Sequence, residues 1–102
     1  MKIKSKKWIE REKLKEWRKK VLERDNFKCQ ICGYKPIKPH VHHIIPKQFE
    51  ELKFDLMNGI TFCFNHHKVG KFSPHQNSLF FTEWLKANKP EQFKYLMDRL
   101  EK

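Results

Sequence analysis

Two pairs of potential metal ligands limit how this chain can fold. Two residues separate Cys29 from Cys32 and two separate Cys63 from His66, with 30 residues (33–62) between the pairs. Such pairs can bring four soft or borderline ligands together, as in tetrahedral structural zinc sites. The spacing therefore predicts a structural Zn²⁺ site, and the alternative is three ordinary buried thiols with a surface histidine. Because a C2H2 finger has only about a dozen residues between its pairs, a different fold must fill the long gap.

The length and the cysteine content narrow the class of protein. A chain of 102 residues is enough for one domain with a small core, so we expect a single domain over residues 1–102. Three cysteines do not suggest a disulfide framework, which favours a reducing compartment. No apolar run approaches the roughly 18 residues of a membrane span, and the Lys-rich start lacks the apolar stretch of a signal peptide. We therefore expect a soluble, cytoplasmic protein.

The charge balance indicates a polyanionic partner. The formal net charge is +11, from 23 Lys and Arg against 12 Asp and Glu. The excess is concentrated in residues 1–28, which hold nine Lys and three Arg against five acids. Such a basic segment favours binding to nucleic acid, although a charged face can also be merely solvated.

The segment 5–23 has the pattern of an amphipathic helix. It lacks Pro and Gly, and Leu14, Trp17 and Val21 recur at spacings of three and four with basic residues between them. We expect the apolar side to pack on the domain and the basic side to contact DNA phosphates. The candidate DNA contacts are Lys13, Lys15, Arg18, Lys19, Lys20 and Arg24.

Two short strands are predicted between the ligand pairs. Residues 40–45 are partly β-branched and followed by a proline, and residues 60–62 follow an Asn-Gly turn signal at 58–59. We expect these strands to pair antiparallel. The run after Cys63 has no breaker before Gly70, which predicts a short helix and gives the order strand, strand, helix.

Two further helices are predicted near the carboxyl end, at about residues 78–101. Asn77 or Ser78 can cap the first, and Pro90 fits the first turn of the second. Their apolar residues recur at helical spacing, so we expect them to form core faces. These residues are Phe80, Phe81, Trp84 and Leu85 in the first helix and Phe93, Leu96, Met97 and Leu100 in the second.

Five of the six histidines fall in two clusters, at 40–43 and 66–67, and one zinc site needs only one of them. Successive side chains on a helix diverge by about 100°, so His66 and His67 cannot both face the same ion. A second site beside the first is therefore implied. On a strand, His42 and His43 point to opposite faces, and they can share a site only where the strand ends or bulges.

Four segments resemble the motifs of the HNH nuclease family. They are residues 29–33 (CQICG), 41–46 (VHHIIP), 55–63 (DLMNGITFC) and 64–67 (FNHH), and the resemblance spans about residues 24–70. It implies an α+β fold with a ββα-metal core and a structural zinc, here flanked by the amino-terminal basic helix and the carboxy-terminal helices. Small stand-alone phage nucleases of the family are similar in carrying such additions.

The resemblance also implies site residues. His43 takes the place of the general base that deprotonates the attacking water, and Asn58 that of the residue that supports the loop and orients this base. His67 takes the place of a ligand to the catalytic divalent ion. His42 occupies the preceding position, where the family often has an acidic ligand. A histidine there weakens the preference for Mg²⁺, so Mg²⁺ or Mn²⁺ is expected, with Ni²⁺ or Zn²⁺ as alternatives.

Two histidine assignments stay open on sequence alone. His66 and His67 could exchange roles between the zinc and the catalytic ion, although the spacing favours His66 on zinc. His40 and His75 are interpreted as surface or structural residues.

The combined prediction is a divalent-metal-dependent DNA endonuclease or nickase that uses one metal ion and a histidine general base. One alternative is a non-catalytic, zinc-bound DNA-binding module in which His42 and His43 serve only structure. Another is an RNA-binding zinc knuckle, but such knuckles are shorter and need no His-His strand. The resemblance to phage nucleases suggests a partner in the terminase packaging machinery and a site of action in the host cytoplasm.

Overall fold

A long helix, α1 (Lys6–Arg24), opens the fold. The computed structural model describes residues 5–70 and 73–101, so residues 1–4 of the basic segment lie outside the described part. Ser5 caps the helix, because its hydroxyl accepts a 3.1 Å hydrogen bond from the backbone N–H of Trp8. The predicted helix is confirmed to within one residue at each end. Within the described ranges, no helix has both the length and the apolarity needed to cross a bilayer.

The apolar side of α1 packs on the domain along its carboxy-terminal half. Trp17, Val21 and Leu22 are buried, whereas Leu14 is only half-buried. The prediction of a buried apolar side is therefore correct for Trp17 and Val21. Leu22 is buried in addition, whereas Leu14 is not fully buried. The reason is that only the last turns of the helix lie against the sheet.

Two strands form the predicted antiparallel pair. They are β1 (His40–His43) and β2 (Gly59–Phe62), with His40 opposite Phe62 and His43 opposite Gly59. Every residue of β2 is buried, and β1 is half-buried along its length. The connection between them is a long loop with two short 3-10 turns rather than a tight hairpin.

Close packing joins α1 to β2. A side chain at Gly59 would come within 2.6 Å of a Val21 methyl and 2.7 Å of the Trp17 ring, so the sequence needs glycine there. The guanidinium of Arg24 donates hydrogen bonds of 2.7 Å to the carbonyls of Leu56 and Gly59. Arg24, one of the candidate DNA contacts, is exposed and also joins α1 to β2 through these bonds.

The remaining helices follow the predicted order. A π-helical turn (Asn65–Val69) comes after β2, in place of the regular short helix expected there. It is followed by α2 (Ser78–Asn88) and α3 (Pro90–Leu100). Asn77 caps α2 by accepting a 3.0 Å bond from the backbone N–H of Phe80, and Pro90 opens α3 as predicted.

The core lies where α2 and α3 cover the sheet. Phe81, Leu85 and Leu96 are buried as predicted. Three other residues of the predicted faces are not core residues, since Phe80 is 39% exposed and Met97 and Leu100 are each 41% exposed. A sheet of two strands offers a narrow face, so it covers only the nearest strip of each helix. The buried cluster consists of Cys29, Ile60, Phe62, Cys63, Phe81 and Leu85.

Candidate metal centres and active site

The two ligand pairs that were predicted to hold zinc converge. The Nδ1 atom of His66 lies 3.1 Å from the Cys63 sulfur and 3.6 Å from the Cys29 sulfur, and the sulfurs of Cys32 and Cys63 are 3.9 Å apart. Tetrahedral zinc with Zn–S bonds of about 2.3 Å places its sulfurs roughly 3.8 Å apart. All four ligand atoms lie within 4.8 Å of one another. This Cys3His cluster therefore has the composition and spacing of a structural zinc site.

Local backbone geometry forms the first half of this cluster. The N–H of Gly33 donates to the carbonyl of Cys29, and the N–H of Cys29 donates to that of Tyr34, both at 2.8 Å. Gly33 has φ of 75°, a left-handed conformation that favours glycine. The result is a tight turn over residues 29–34, here called the knuckle, which turns Cys29 and Cys32 toward the same point.

The thiol chemistry of the cluster fits a cation. Partial desolvation of its sulfur and the neighbouring Cys29 sulfur raise the pKa of Cys32, an exposed residue, to about 11. Burial also acts to raise the pKa of Cys29, but hydrogen bonds with nearby backbone groups outweigh it and lower the pKa below its usual value. Three adjacent thiolates would repel one another, so a bound divalent cation is what makes their deprotonated forms compatible.

A second cluster consists of histidines only. The Nε2 atom of His67 lies 3.2 Å from Nδ1 of His42 and 3.1 Å from Nε2 of His75, and one nitrogen from each ring falls within 4.8 Å of the others. The Nδ1 atom of His40 lies 2.9 Å from the other ring nitrogen of His67. We call His42, His67 and His75 the three-His cluster. Its ligand types and spacing allow it to hold a divalent ion.

His75 is exposed, as interpreted from the sequence, but its ring also belongs to the three-His cluster, and the half-buried His40 lies beside His67. His40 shares a face of β1 with His42, because side chains alternate along a strand, so the sequence contained a signal for its position. His75 gave no such signal. It lies in an irregular segment after Pro74, where no periodicity relates it to His67.

The division of the adjacent pair His66 and His67 follows the spacing argument. His66 joins the cysteines and His67 joins the histidines. The backbone N–H of His67 donates to the carbonyl of Cys63 at 3.0 Å, which anchors the turn that directs the two rings apart. Neighbouring residues thus serve two different clusters.

Two rings of the three-His cluster, those of His42 and His67, have lowered pKa values that favour the neutral form. Burial, reinforced by neighbouring histidines, lowers the pKa of His42 to about 3 and that of His67 to about 4. The pKa of His40 is also lowered, by burial and by the nearby charges of Lys68 and Arg18. Neutral imidazoles keep the lone pairs that a metal requires.

His43 leaves β1 on the opposite face and stacks on α1. Its ring lies 4.0 Å from the Trp17 ring at an interplanar angle of 12°. Its Nε2 atom lies 2.9 Å from the carbonyl of Lys53. A carbonyl only accepts hydrogen bonds, so we infer that Nε2 carries the proton and Nδ1 has the lone pair. Burial and the charge of Lys47 lower the pKa of His43, while the bond to Lys53 acts in the opposite direction.

Asn58 is fully buried and ties together the loop around His43. Its amide donates two hydrogen bonds of 3.0 Å, to the carbonyls of Ile45 and Leu52, and its oxygen accepts one of 2.6 Å from the N–H of Ile45. These bonds join the chain just after β1 to the segment that contains Lys53. Asn58 therefore holds together the loop around His43, and the role that the resemblance implies for it stays a prediction.

One cleft brings the histidines together. Although His42 and His43 point to opposite faces of β1, the strand ends at His43, and both rings line a cleft of about 500 Å³. This agrees with the expectation that they can share a site only at a strand end. The sequence analysis missed Lys47 and Lys68, which also line this cleft. The cleft lining includes His42, His43, His67, His75, Lys47 and Lys68.

The comparison with known families matches this region. The family model of HNH endonucleases matches residues 29–70 of the chain. This segment is an HNH domain. It contains the knuckle, both strands and the π-helical turn. The match confirms the family predicted from the sequence and supports nuclease activity. No curated protein and no solved structure matches the chain.

Helix α1 lies beside the HNH domain with several exposed cations. Arg18 donates a 2.9 Å hydrogen bond to the carbonyl of Pro39, the residue before β1. Lys15, three residues before Arg18, lies on the same side of the helix, and Lys19 is exposed about 100° further round. Lys13 and Lys20 are exposed as well. All the predicted DNA contacts on α1 are therefore exposed next to the HNH domain, although Arg24 also donates hydrogen bonds within the fold.

Proposed function

We propose that this protein is a divalent-metal-dependent DNA endonuclease or nickase with His43 as the general base. The observation that carries the proposal is the shared cleft, which is lined by both His43 and the three-His cluster. Lys47 and Lys68 give the same cleft a positive charge, which suits a phosphodiester substrate. The match of residues 29–70 to the HNH endonucleases supports the same reaction class.

His43 is suited to take a proton from the attacking water. Donation from its Nε2 to the Lys53 carbonyl leaves Nδ1 as the acceptor. Trp17 fixes the plane of the ring by stacking, and its own Nε1–H is held by a 2.8 Å bond to the Asp55 carbonyl. Asn58 holds the surrounding loop. Trp17 and Asn58 are positioning residues in this proposal, since they act through His43.

The three-His cluster would hold the catalytic ion, with His42 and His67 in the roles implied by the family and His75 as a third ligand. When bound, the ion would offset negative charge on the phosphate and on the departing 3′ oxygen. An all-nitrogen ligand set favours Mn²⁺, Ni²⁺ or Zn²⁺ over Mg²⁺. The Cys3His cluster would hold the separate, structural Zn²⁺.

The rival reading is a zinc-bound DNA-binding module without catalysis. It gives no role to the open cleft or to the unprotonated Nδ1 of His43, so the nuclease is the better reading. A phage origin, a terminase partner and action in the host cytoplasm belong to the same proposal, and their support is the resemblance to small stand-alone HNH nucleases.

Cleavage assays on three substrates test the proposal. Supercoiled plasmid, single-stranded DNA and RNA are incubated with the wild type under Mg²⁺, Mn²⁺, Ni²⁺ or Zn²⁺, beside an identically purified His43→Ala protein. We expect metal-dependent cleavage of plasmid, reduced by about 10²- to 10⁴-fold in the variant with DNA affinity and melting retained. DNA binding without cleavage under any ion would favour the binding module, and equal rates for both proteins would remove His43 as the base.

A further inference from the structure

The loop between the knuckle and β1 presents an apolar tip to solvent. We define it as the 34–39 loop, with the sequence Tyr-Lys-Pro-Ile-Lys-Pro. Ile37 at its centre is 97% exposed and Tyr34 at its start is 63% exposed. Lys35 and Lys38, on either side of the tip, are exposed too. The loop therefore combines an apolar tip with two flanking cations.

The loop is fixed at both ends. Its first carbonyl, at Tyr34, accepts a 2.8 Å hydrogen bond from Cys29 in the knuckle. Its last carbonyl, at Pro39, accepts the 2.9 Å bond from Arg18 on α1. Two of its six residues are prolines, which restrict the backbone dihedral φ. A tip held in this way loses little conformational entropy when it enters a partner.

The tip lies close to the three-His cluster. Ile37 precedes His40 by three residues, a length of chain that spans at most about 11 Å. The ring of His40 contacts that of His67. A DNA backbone in the cleft would therefore pass within reach of Ile37. The charges of Lys68, in the cleft, and Arg18, on α1, both act on His40.

We propose that the 34–39 loop is a DNA wedge, in which Ile37 enters the minor groove and unstacks a base step near the cleavage site. This inference rests on the proposed action on DNA. Minor-groove proteins insert apolar side chains, Ile and Pro among them, and kink the duplex there. Lys35 and Lys38 contact the phosphates that border the step.

The flanking charges favour DNA over a protein as the occupant. Lysine is depleted in protein–protein interfaces, whereas a minor groove is bordered by phosphates on both sides of an inserted side chain. The 34–39 loop has one lysine on each side of Ile37. A protein partner remains an outcome that the test can reveal.

The test uses duplexes that carry 2-aminopurine at successive steps around the cleavage site, and the His43→Ala background keeps them intact. We expect binding to raise 2-aminopurine fluorescence at one step. Ile37→Ala should abolish this rise and weaken binding about tenfold, through the lost burial of the apolar side chain. Ile37→Met should retain most of the signal. The double change Lys35→Gln and Lys38→Gln should lower the salt slope of binding by roughly two.

The matched control is Leu79→Ala, which removes a 74% exposed apolar side chain from α2. It should leave both signals unchanged, and melting curves show that all variants fold. Duplex binding by the wild type without fluorescence rise overturns the wedge while leaving the nuclease proposal intact. The wedge is also overturned if the Ile37→Ala variant binds the duplex as tightly as the wild type does. This holds as well if that variant has lost binding to a protein partner instead. Absence of duplex binding by the wild type would overturn both proposals.

Discussion

The two clusters of ligands in this protein differ in how completely they enclose an ion. The Cys3His cluster offers four ligands, enough to complete a tetrahedron. The three-His cluster offers three nitrogens beside an open cleft. Structural zinc sites are typically closed, and catalytic sites keep a position for water or substrate. This difference supports the proposal that the first cluster stabilises the fold and the second holds the catalytic ion.

The two clusters are kept apart by two consecutive residues of the chain. His66 faces the cysteines and His67 faces the histidines, from consecutive positions of one π-helical turn. The same turn therefore links the Cys3His cluster to the three-His cluster. Removing a ligand from the first cluster should disturb the fold, and removing one from the second should disturb only the reaction.

The largest effect is expected from Cys32→Ser. Cys32 is exposed, so the change creates no cavity and acts through the metal. Structural zinc can supply about 10–16 kcal/mol of binding free energy, which is comparable to the about 5–15 kcal/mol stability of a whole domain. We expect loss of near-ultraviolet dichroism and of a cooperative melt, as also after zinc chelation. Unchanged melting after complete zinc removal would contradict a structural role.

A smaller effect is expected from His42→Ala, which removes one of three ligands from the three-His cluster. Cleavage should fall by about 10²-fold or more, because the ion binds more weakly. Raising the Mn²⁺ concentration should restore part of the rate. His43→Ala is the matched control, since it removes the adjacent histidine but no ligand, and added metal should not rescue it. Equal rescue of both variants would remove the distinction between ligand and base.

A smaller loss of activity is expected when the stack of Trp17 on His43 is removed. Trp17→Leu is expected to lower kcat by about 10- to 100-fold with little change in KM, because a misplaced base loses reactivity. Trp17→Phe keeps a flat face and should recover most of kcat. Val21→Ala controls for stability, since Val21 packs at the same joint with Gly59. An equal loss of kcat in the Val21 variant would show that packing alone explains the effect.

The smallest effect is expected from single cations. Lys68→Gln, in the cleft, should weaken DNA binding and reduce the salt slope by about one, as expected for one phosphate contact. Lys86→Gln, on the exposed side of α2, should change neither. Titrations of duplex DNA at several salt concentrations measure both quantities. The same slope in both variants would place the DNA elsewhere.

The Cys3His cluster could be predicted from the sequence because two ligands only three positions apart are brought together by the local backbone alone. The knuckle fixes Cys29 and Cys32 locally, and the spacing after Cys63 selects His66 over His67. The antiparallel strands and the capped helices were likewise set by local signals, at Ser5 and Asn77 among others.

The rest depends on long-range packing that no local pattern contains. His75 reaches the three-His cluster from an irregular segment. The stack of Trp17 on His43 depends on how α1 docks against β2, and the sequence suggested only that Trp17 is buried. Met97 and Leu100 have the correct period for a core face, but the narrow sheet leaves them partly exposed.

The most direct test of the two-cluster account compares His66→Ala with His67→Ala in Co²⁺-substituted protein. The account predicts that His67→Ala keeps the thiolate-to-cobalt charge-transfer absorption and the wild-type melt but loses plasmid cleavage. His66→Ala should weaken that absorption and lower the melting temperature. If His67→Ala instead loses the thiolate signal, or if both variants lose cleavage with identical spectra and melts, the assignment of these neighbours to separate centres is wrong.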